Sequence, residues 1–362
     1  MENKILILIL VVLVLSPPTK AEVEIANIFS DFTSSDVTIT SSEDINGKLV
    51  FESSTEKGII ESQAMPLKID AGQTISKTII WDIRPQADKF DVKVSIYNGN
   101  IIIVEKSTQV TYGSMALPSY RVVDFAASNK GAQMLLEAIN PSAVDMRIEL
   151  IDNGNIIFTT TKSDVALSKD ETNGIKIDWP FPLNDDHKYT VRGKITLRVV
   201  YGSPLVNSYI SNFVAYNDVQ IIPGEVKVDE YGASVTLRGE SQVPFDGFID
   251  ITVRNLATNE IQIYTQQVDK IILSGREDTT GVVWNGLRPG KYDVEIRAMT
   301  TDNVSLSEYR TVLRMPEPQK EDNQSISTEN TGTNRLPGFE ALYLIVAFGI
   351  VAIIKHRKNG GG

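Results

Sequence analysis

The chain has 362 residues, a length that predicts roughly two to four domains, and its 42% hydrophobic and 22% charged content excludes both a disordered chain and a polytopic membrane protein. Lys plus Arg number 35 against 46 Asp plus Glu; a net charge of −11 argues against a phosphate-binding face and so against nucleic acid as a partner. The absence of cysteine excludes disulfides, thiol catalysis, iron–sulfur clusters and cysteine-ligated zinc, and the two histidines, His187 and His356, leave little for a triad or a histidine metal site.

The N-terminus reads Met-Glu-Asn-Lys, then an apolar run from Ile5 to Leu15, then Ser16-Pro-Pro-Thr-Lys-Ala21. As a helix the run spans only about 16 Å, half of a bilayer's hydrocarbon core. With Lys4 before it and prolines and a small residue after it, it reads as a signal peptide over 1–21 with cleavage after Ala21; an uncleaved anchor or a buried helix is the alternative.

The middle of the chain repeats. Its only tryptophans, Trp81, Trp179 and Trp284, lie 98 and 105 residues apart. Each is followed 8–10 residues later by an aromatic, one residue and a valine, beginning at Phe90, Tyr189 and Tyr292. From each aromatic onward, apolar and polar residues alternate, as in Phe90, Val92, Val94 and Ile96 against Asp91, Lys93 and Ser95. Period two with one polar face marks a half-buried antiparallel strand, and the polar positions read as solvated. A repeat near 100 residues is a domain length, so three domains are expected, at 22–114, 115–217 and 218–315.

Within the second repeat the strand-like runs are 119–127, 132–139, 145–152, 155–160, 173–179, 189–201 and 205–214. Asp152-Asn153-Gly154-Asn155 predicts a type I′ hairpin, and Asn98-Gly99 gives the first repeat a similar signal. No window between the two ends has sustained helical periodicity. The fold class expected is therefore all-β: three tandem immunoglobulin-like β-sandwich domains, plus the N-terminal signal peptide and a C-terminal hydrophobic helix. The short joins at 113–119 and 215–219 suggest a semi-rigid rod, with three independently flexing beads as the alternative.

The segment Leu287-Arg288-Pro289-Gly290-Lys291-Tyr292-Asp293-Val294 is similar to the tyrosine-corner segment of fibronectin type III domains. That resemblance implies a phenol hydroxyl bonded back to its loop; Phe90 has no hydroxyl, so the first repeat must rely on packing. The larger block, from Leu67-Lys68-Ile69-Asp70-Ala71-Gly72 through Trp81 to the aromatic strand, resembles CARDB-type adhesion-related domains. It implies a fold and says little of function.

Asn184-Asp185-Asp186-His187 is the one cluster hinting at a metal or an acid–base pair. It falls in a loop between two strands, where Asn and Asp serve turn geometry, and a single loop supplies too few oxygens for calcium. No phosphate loop, nucleophile elbow or zinc-protease helix is present, so no catalytic, metal or cofactor residue is assigned and an enzyme is not expected. Each tryptophan reads as a core residue packed against an aromatic of its own repeat, the alternative being a sugar-stacking surface. Asn303 and Asn323 head N-glycosylation sequons.

Residues 316–336 form a polar tether rich in Ser, Thr, Asn, Gln and Glu, with a coil reach of roughly 25 Å. There follow Pro337-Gly338-Phe339, an uncharged run from Ala341 to Ile354 of about 21 Å as a helix, and the basic end Lys355-His356-Arg357-Lys358. Tether, tripeptide, short apolar helix and basic end over 337–358 resemble the PGF-CTERM sorting signal of archaeal surface proteins. The resemblance implies an archaeosortase-like enzyme that recognises Pro337, Gly338 and Phe339 and exchanges the tail for a lipid anchor; a plain single-span anchor is the alternative. Either places the protein on the extracellular face of the plasma membrane.

The expectation is a non-enzymatic surface protein in an adhesion, spacer or envelope-associated role. Its partners would be the membrane, through the C-terminal segment or a replacing lipid, and surface-layer or envelope components. The rival is a solute- or polysaccharide-binding accessory protein of a transporter or surface enzyme, recognisable by a deep aromatic-lined pocket between domains.

Overall fold

The computed structural model describes residues 23–83, 89–111, 119–169, 171–198 and 205–317. These are strands and turns; the sole helical element among them is a single 3₁₀ turn, Pro223–Glu225. Every ladder between named strands is antiparallel.

The buried side chains form three hydrophobic cores, in chain order. Around the first run β1 (Val23–Ser30), β2 (Ser34–Ser41), β3 (Ile45–Thr55), β4 (Gly58–Ile69), β5 (Thr74–Ile80), β6 (Lys89–Asn98) and β7 (Ile101–Thr111). Around the second run β8 (Tyr120–Ala127), β9 (Gly131–Ala138), β10 (Ser142–Asp152), β11 (Asn155–Leu167), β12 (Thr172–Asp178), β13 (His187–Leu197) and β14 (Leu205–Ala215). The third has β15 (Val219–Ile221), β16 (Lys227–Val228), β17 (Gly232–Gly239), β18 (Phe248–Asn255), β19 (Ile261–Gln267), β20 (Glu277–Val283), β21 (Gly290–Met299) and β22 (Ser305–Met315).

The strand order is the same at each core. One layer joins the first, second and fifth strands: β1-β2-β5, β8-β9-β12, and β15 or β16 with β17 and β20. The other runs β4-β3-β6-β7, β11-β10-β13-β14 and β19-β18-β21-β22. In the third copy Pro223, which lacks an N–H to donate, and Gly224 interrupt the first strand, so that β15 and β16 each pair with part of β17. The alternation seen in the sequence fills the cores: Phe90, Val92, Val94 and Ile96 are buried on β6, Tyr189, Val191 and Ile195 on β13, and Tyr292, Val294, Ile296 and Ala298 on β21.

The hairpin at Asn153-Gly154 takes positive φ at both residues, 47° and 78°, the type I′ pattern. The other expected hairpin differs. Asn98 pairs with Ile101 as part of the ladder, and Gly99 alone has positive φ (60°), so the loop is Gly99-Asn100 with glycine first, a type II′ arrangement.

Candidate functional site

The residues singled out in sequence occupy matching positions. The backbone N–H of each tryptophan donates to a carbonyl in the turn before the second strand of its layer. Trp81 bonds to Thr33, Trp179 to Lys130 and Trp284 to Tyr231, at 2.9–3.1 Å. Those turns are held locally: Asp31 and Asp229 each accept two backbone N–H bonds, and the Ser128 hydroxyl accepts one from Lys130. The indole N–H groups of Trp179 and Trp284 donate to Ser128 and Glu230 carbonyls; that of Trp81 has no such partner among the described residues.

All three tryptophans are buried. Trp179 stacks on Phe213 at 6.2 Å, which in turn stacks on Tyr189 at 5.6 Å; Trp284 packs on Tyr264 at 5.3 Å. The contact with the repeat aromatic is therefore relayed in the second core, and an aromatic of β19 takes its place in the third. Tyr292 donates its hydroxyl to the Arg288 carbonyl at 2.9 Å, whereas the Tyr189 hydroxyl accepts from the Asn184 backbone N–H at 3.1 Å. Phe90, without a hydroxyl, packs edge-on against Phe32 at 5.0 Å.

One sequence expectation is corrected. Part of the polar face of β10 and β13 is not solvated: Arg192 and Glu149 are 0% exposed. The layer β11-β10-β13-β14 continues the layer β1-β2-β5 through the pairing of Asn155 with Lys77, and side chains of the first repeat close over it. Arg192 Nε donates to Glu149 Oε2 at 2.7 Å and its Nη2 to the same oxygen at 2.5 Å. Nη1 reaches Asp36 Oδ2 at 2.9 Å and Ser34 Oγ at 3.2 Å, while Nη2 also reaches Thr78 Oγ1 at 3.4 Å. A guanidinium has five N–H donors, and five contacts use them. Three of these acceptors belong to β2 and β5, so the cation of the second repeat is solvated by the first.

Lys194, two residues along on the same face, extends the cluster. Its Nζ lies 2.6 Å from Asp36 Oδ2 and 3.8 Å from the centre of the Phe29 ring on β1. Burial pushes its ammonium below the ordinary lysine value, and the neighbouring Arg192 charge adds to that, against the pull of Asp36 and Glu149. Glu149 also faces Arg147 Nε at 2.8 Å. Two anions, Asp36 and Glu149, thus meet two cations, Arg192 and Lys194, in a place largely closed to water. At the rim, Thr78 N–H donates to the Gly154 carbonyl at 2.8 Å and Lys77 Nζ to Asn155 Oδ1 at 2.5 Å. A Cβ on Gly154 would come within 2.9 Å of the Met65 methyl and 3.1 Å of the Thr78 carbonyl, so the I′ hairpin is also a close-approach point.

The second and third repeats meet through the segment after β17. Val243 is buried in the second core although it lies between strands of the third. Leu183 N–H donates to the Gln242 carbonyl, Gln242 N–H to the Asn129 carbonyl, and the Ser241 hydroxyl and the Asn129 amide both donate to the Tyr216 carbonyl. Lys130 pairs with Glu240 at 2.7 Å. Burial raises the Asp218 carboxyl above the ordinary aspartate value, and Glu240 adds to it. Between these groups is an open groove of about 540 Å³ lined by Ser128, Lys130, Asp218, Gln220, Glu240 and Ser307 among others, with no aromatic side chain on its wall.

The Asn184–His187 loop forms a turn: Asp186 has φ 50°, Asp185 accepts from Asn217 N–H, and His187 Nε2 lies 2.8 Å from Asp152 Oδ1. Among the described residues no group of three or more His, Cys, Asp or Glu is placed to hold a metal, and no helix is long and apolar enough to cross a membrane. Asn303 is exposed, in the turn between β21 and β22. Ala21, Asn323, Pro337, Gly338, Phe339, the signal peptide, the tether beyond Glu317 and the apolar tail lie outside the described residues. No protein-family model matches the sequence, and no curated protein is significantly similar to it.

Proposed function

We propose that the chain is a non-enzymatic cell-surface protein, exported by its N-terminal signal and held to the outer face of the membrane by its C-terminal segment or a lipid that replaces it. Three immunoglobulin-like, fibronectin type III-like sandwiches, over 22–114, 115–217 and 218–315, serve as a spacer with adhesive or envelope-associated ends. One observation carries this reading: each joint between successive cores is built from dedicated contacts, the Arg192 cluster at one and the inserted Val243 at the other. Loose beads need no such contacts; a spacer that fixes the distance and angle of its outer end does. The PGF-CTERM resemblance at Pro337, Gly338 and Phe339 supports the address, with an archaeosortase-like enzyme as processing partner and surface-layer components as neighbours.

The address is tested on the protein in its native membrane, by mass spectrometry of the C-terminal peptide together with protease shaving of intact cells. Release of peptides from 22–315 by shaving, with a C-terminus ending before Ala341, is the expected result. An intact Ala341–Ile354 segment rejects the sorting reading, and protection of 22–315 from protease rejects the surface location.

A further inference from the structure

At one end of the third sandwich lie the turn before β17, the loop from Trp284 to Gly290, the turn after β18 and the last residue of β22. They are tied together: Trp284 N–H donates to the Tyr231 carbonyl, Leu287 N–H to the Glu230 carbonyl and Leu256 N–H to the Lys291 carbonyl, and Met315 stands opposite Gly290. At the equivalent end of the second sandwich the chain inserts a segment of the third repeat, where Leu183 N–H donates to the Gln242 carbonyl and Val243 enters the core. Leu287 instead takes the carbonyl of its own turn, so this end closes on itself and, among the described residues, its outer surface is bare. That surface is apolar in part. Val283 is 82% exposed, the highest value of any large apolar residue described, with Tyr231 at 62% and Leu256 at 44% on the adjoining turns.

The same end gathers uncompensated positive charge. Four arginines among the described residues have no ion-pair partner there: Arg254, Arg276, Arg288 and Arg314. All but Arg276 stand at this end, with Lys291 beside Arg314 across the ladder, and all four of these cations are exposed. Of the acids nearby, Asp229 is engaged by two backbone N–H groups and Glu230 by the Tyr231 hydroxyl, which leaves Glu260, Asp293 and Glu317. The chain departs from this end after Met315, and a tether with a coil reach of roughly 25 Å separates it from the apolar run that starts at Ala341. We propose that this end of the third repeat is seated on the membrane surface, with Arg254, Arg288, Lys291 and Arg314 on anionic lipid phosphates and Tyr231, Val283 and Leu256 at headgroup depth. The proposal rests on the membrane address proposed above. Guanidinium groups match phosphate oxygens in geometry and charge, and an aromatic ring with a polar tip suits the boundary between headgroup and acyl chain. A coil alone would let the spacer swing; a seated base holds it at a fixed angle.

The chain has no cysteine, so one fluorophore can be placed at will. The full-length protein is reconstituted through its C-terminal segment into phosphatidylcholine vesicles containing phosphatidylglycerol and headgroup-nitroxide lipid. A fluorophore on Val283→Cys is strongly quenched, while one on Ile271→Cys, exposed at the other end of the same sandwich, is not. Reversing two cations, as Arg288→Glu with Arg314→Glu, weakens the seating roughly tenfold or more and brings Val283 quenching down to the Ile271 level, with the circular dichroism unchanged. Flotation of the vesicles reads the anchor separately. Protein that floats with the vesicles but is quenched alike at both positions, or a charge-reversed variant quenched as the parent is, overturns the seat and leaves the anchor standing. Protein that does not float rejects the anchor, and the seat with it.

Discussion

Replacing Arg192 by alanine probes the first joint at its centre. The substitution removes five hydrogen-bonding contacts at once and leaves Glu149, which is 0% exposed, and Asp36 without their shared cation. Breaking a buried ion pair from one side costs about 3–5 kcal/mol, because the remaining charge stays desolvated without compensation. Here each carboxylate keeps one cationic neighbour, Arg147 for Glu149 and Lys194 for Asp36, so about 3 kcal/mol is expected. Removing the pair together, as Arg192→Met with Glu149→Leu, leaves Asp36 with Lys194 and no unpaired anion at β10, and costs far less than Arg192→Ala alone. Hydrogen exchange reads this locally: amides of β2, β5, β10 and β13 lose protection in Arg192→Ala, while β18 and β21 keep theirs. A loss below about 0.5 kcal/mol, the range of ordinary surface substitutions, or a double variant less stable than the single one, would refute the reasoning.

Further outcomes are expected elsewhere. Tyr292→Phe removes the corner bond to the Arg288 carbonyl and costs about 1 kcal/mol in urea unfolding, with no change at Phe90, where no such bond exists. Val243→Ala, although outside the strands of the second repeat, lowers hydrogen-exchange protection of that repeat, by about 1.6 kcal/mol for two buried carbons. The Tyr120 hydroxyl is pushed far above its ordinary value, chiefly by burial, so the folded state holds its proton more tightly than the unfolded chain. That stabilisation is present below pH 10.0 and is lost as pH rises above it, a fall that Tyr120→Phe removes in a pH series of unfolding midpoints. Lys194 works in the opposite sense. Its lowered value means that the unfolded chain binds more protons, so its contribution rises with pH in the range just below 10.5, a rise that is absent from Lys194→Met.

Strands and cores were legible because their cause is local. The alternation from Phe90, Tyr189 and Tyr292 sets which side chains face inward, and the runs expected for the second repeat lie close to β8 through β14, except that β11 runs on to Leu167 where a strand ending at 160 is expected. Asn153-Gly154 was legible for the same reason, since its positive φ angles are a property of two residues. The sequence signal places the first-repeat hairpin one residue early because Asn98 and Gly99 both favour turns, and only the ladder register decides between them. The joint was not legible at all. Arg192 and Lys194 sit at polar positions of an ordinary alternation, indistinguishable from a solvated face. What buries them is Ser34, Asp36 and Thr78, more than a hundred residues away in sequence, and no local pattern reports that approach. Val243 is a similar case: a lone valine after a strand carries no sign that it enters a neighbouring core.

The central claim, that the first repeat closes on the polar face of the second at a fixed place, is tested most directly by Lys77→Cys with Asn155→Cys in this cysteine-free chain. The two positions are ladder partners, a spacing a disulfide can bridge. The account predicts an intramolecular bond that forms under mild oxidation in the great majority of molecules and leaves both repeats folded. Thiols that stay free, with the single variants equally unreactive toward one another, would contradict it.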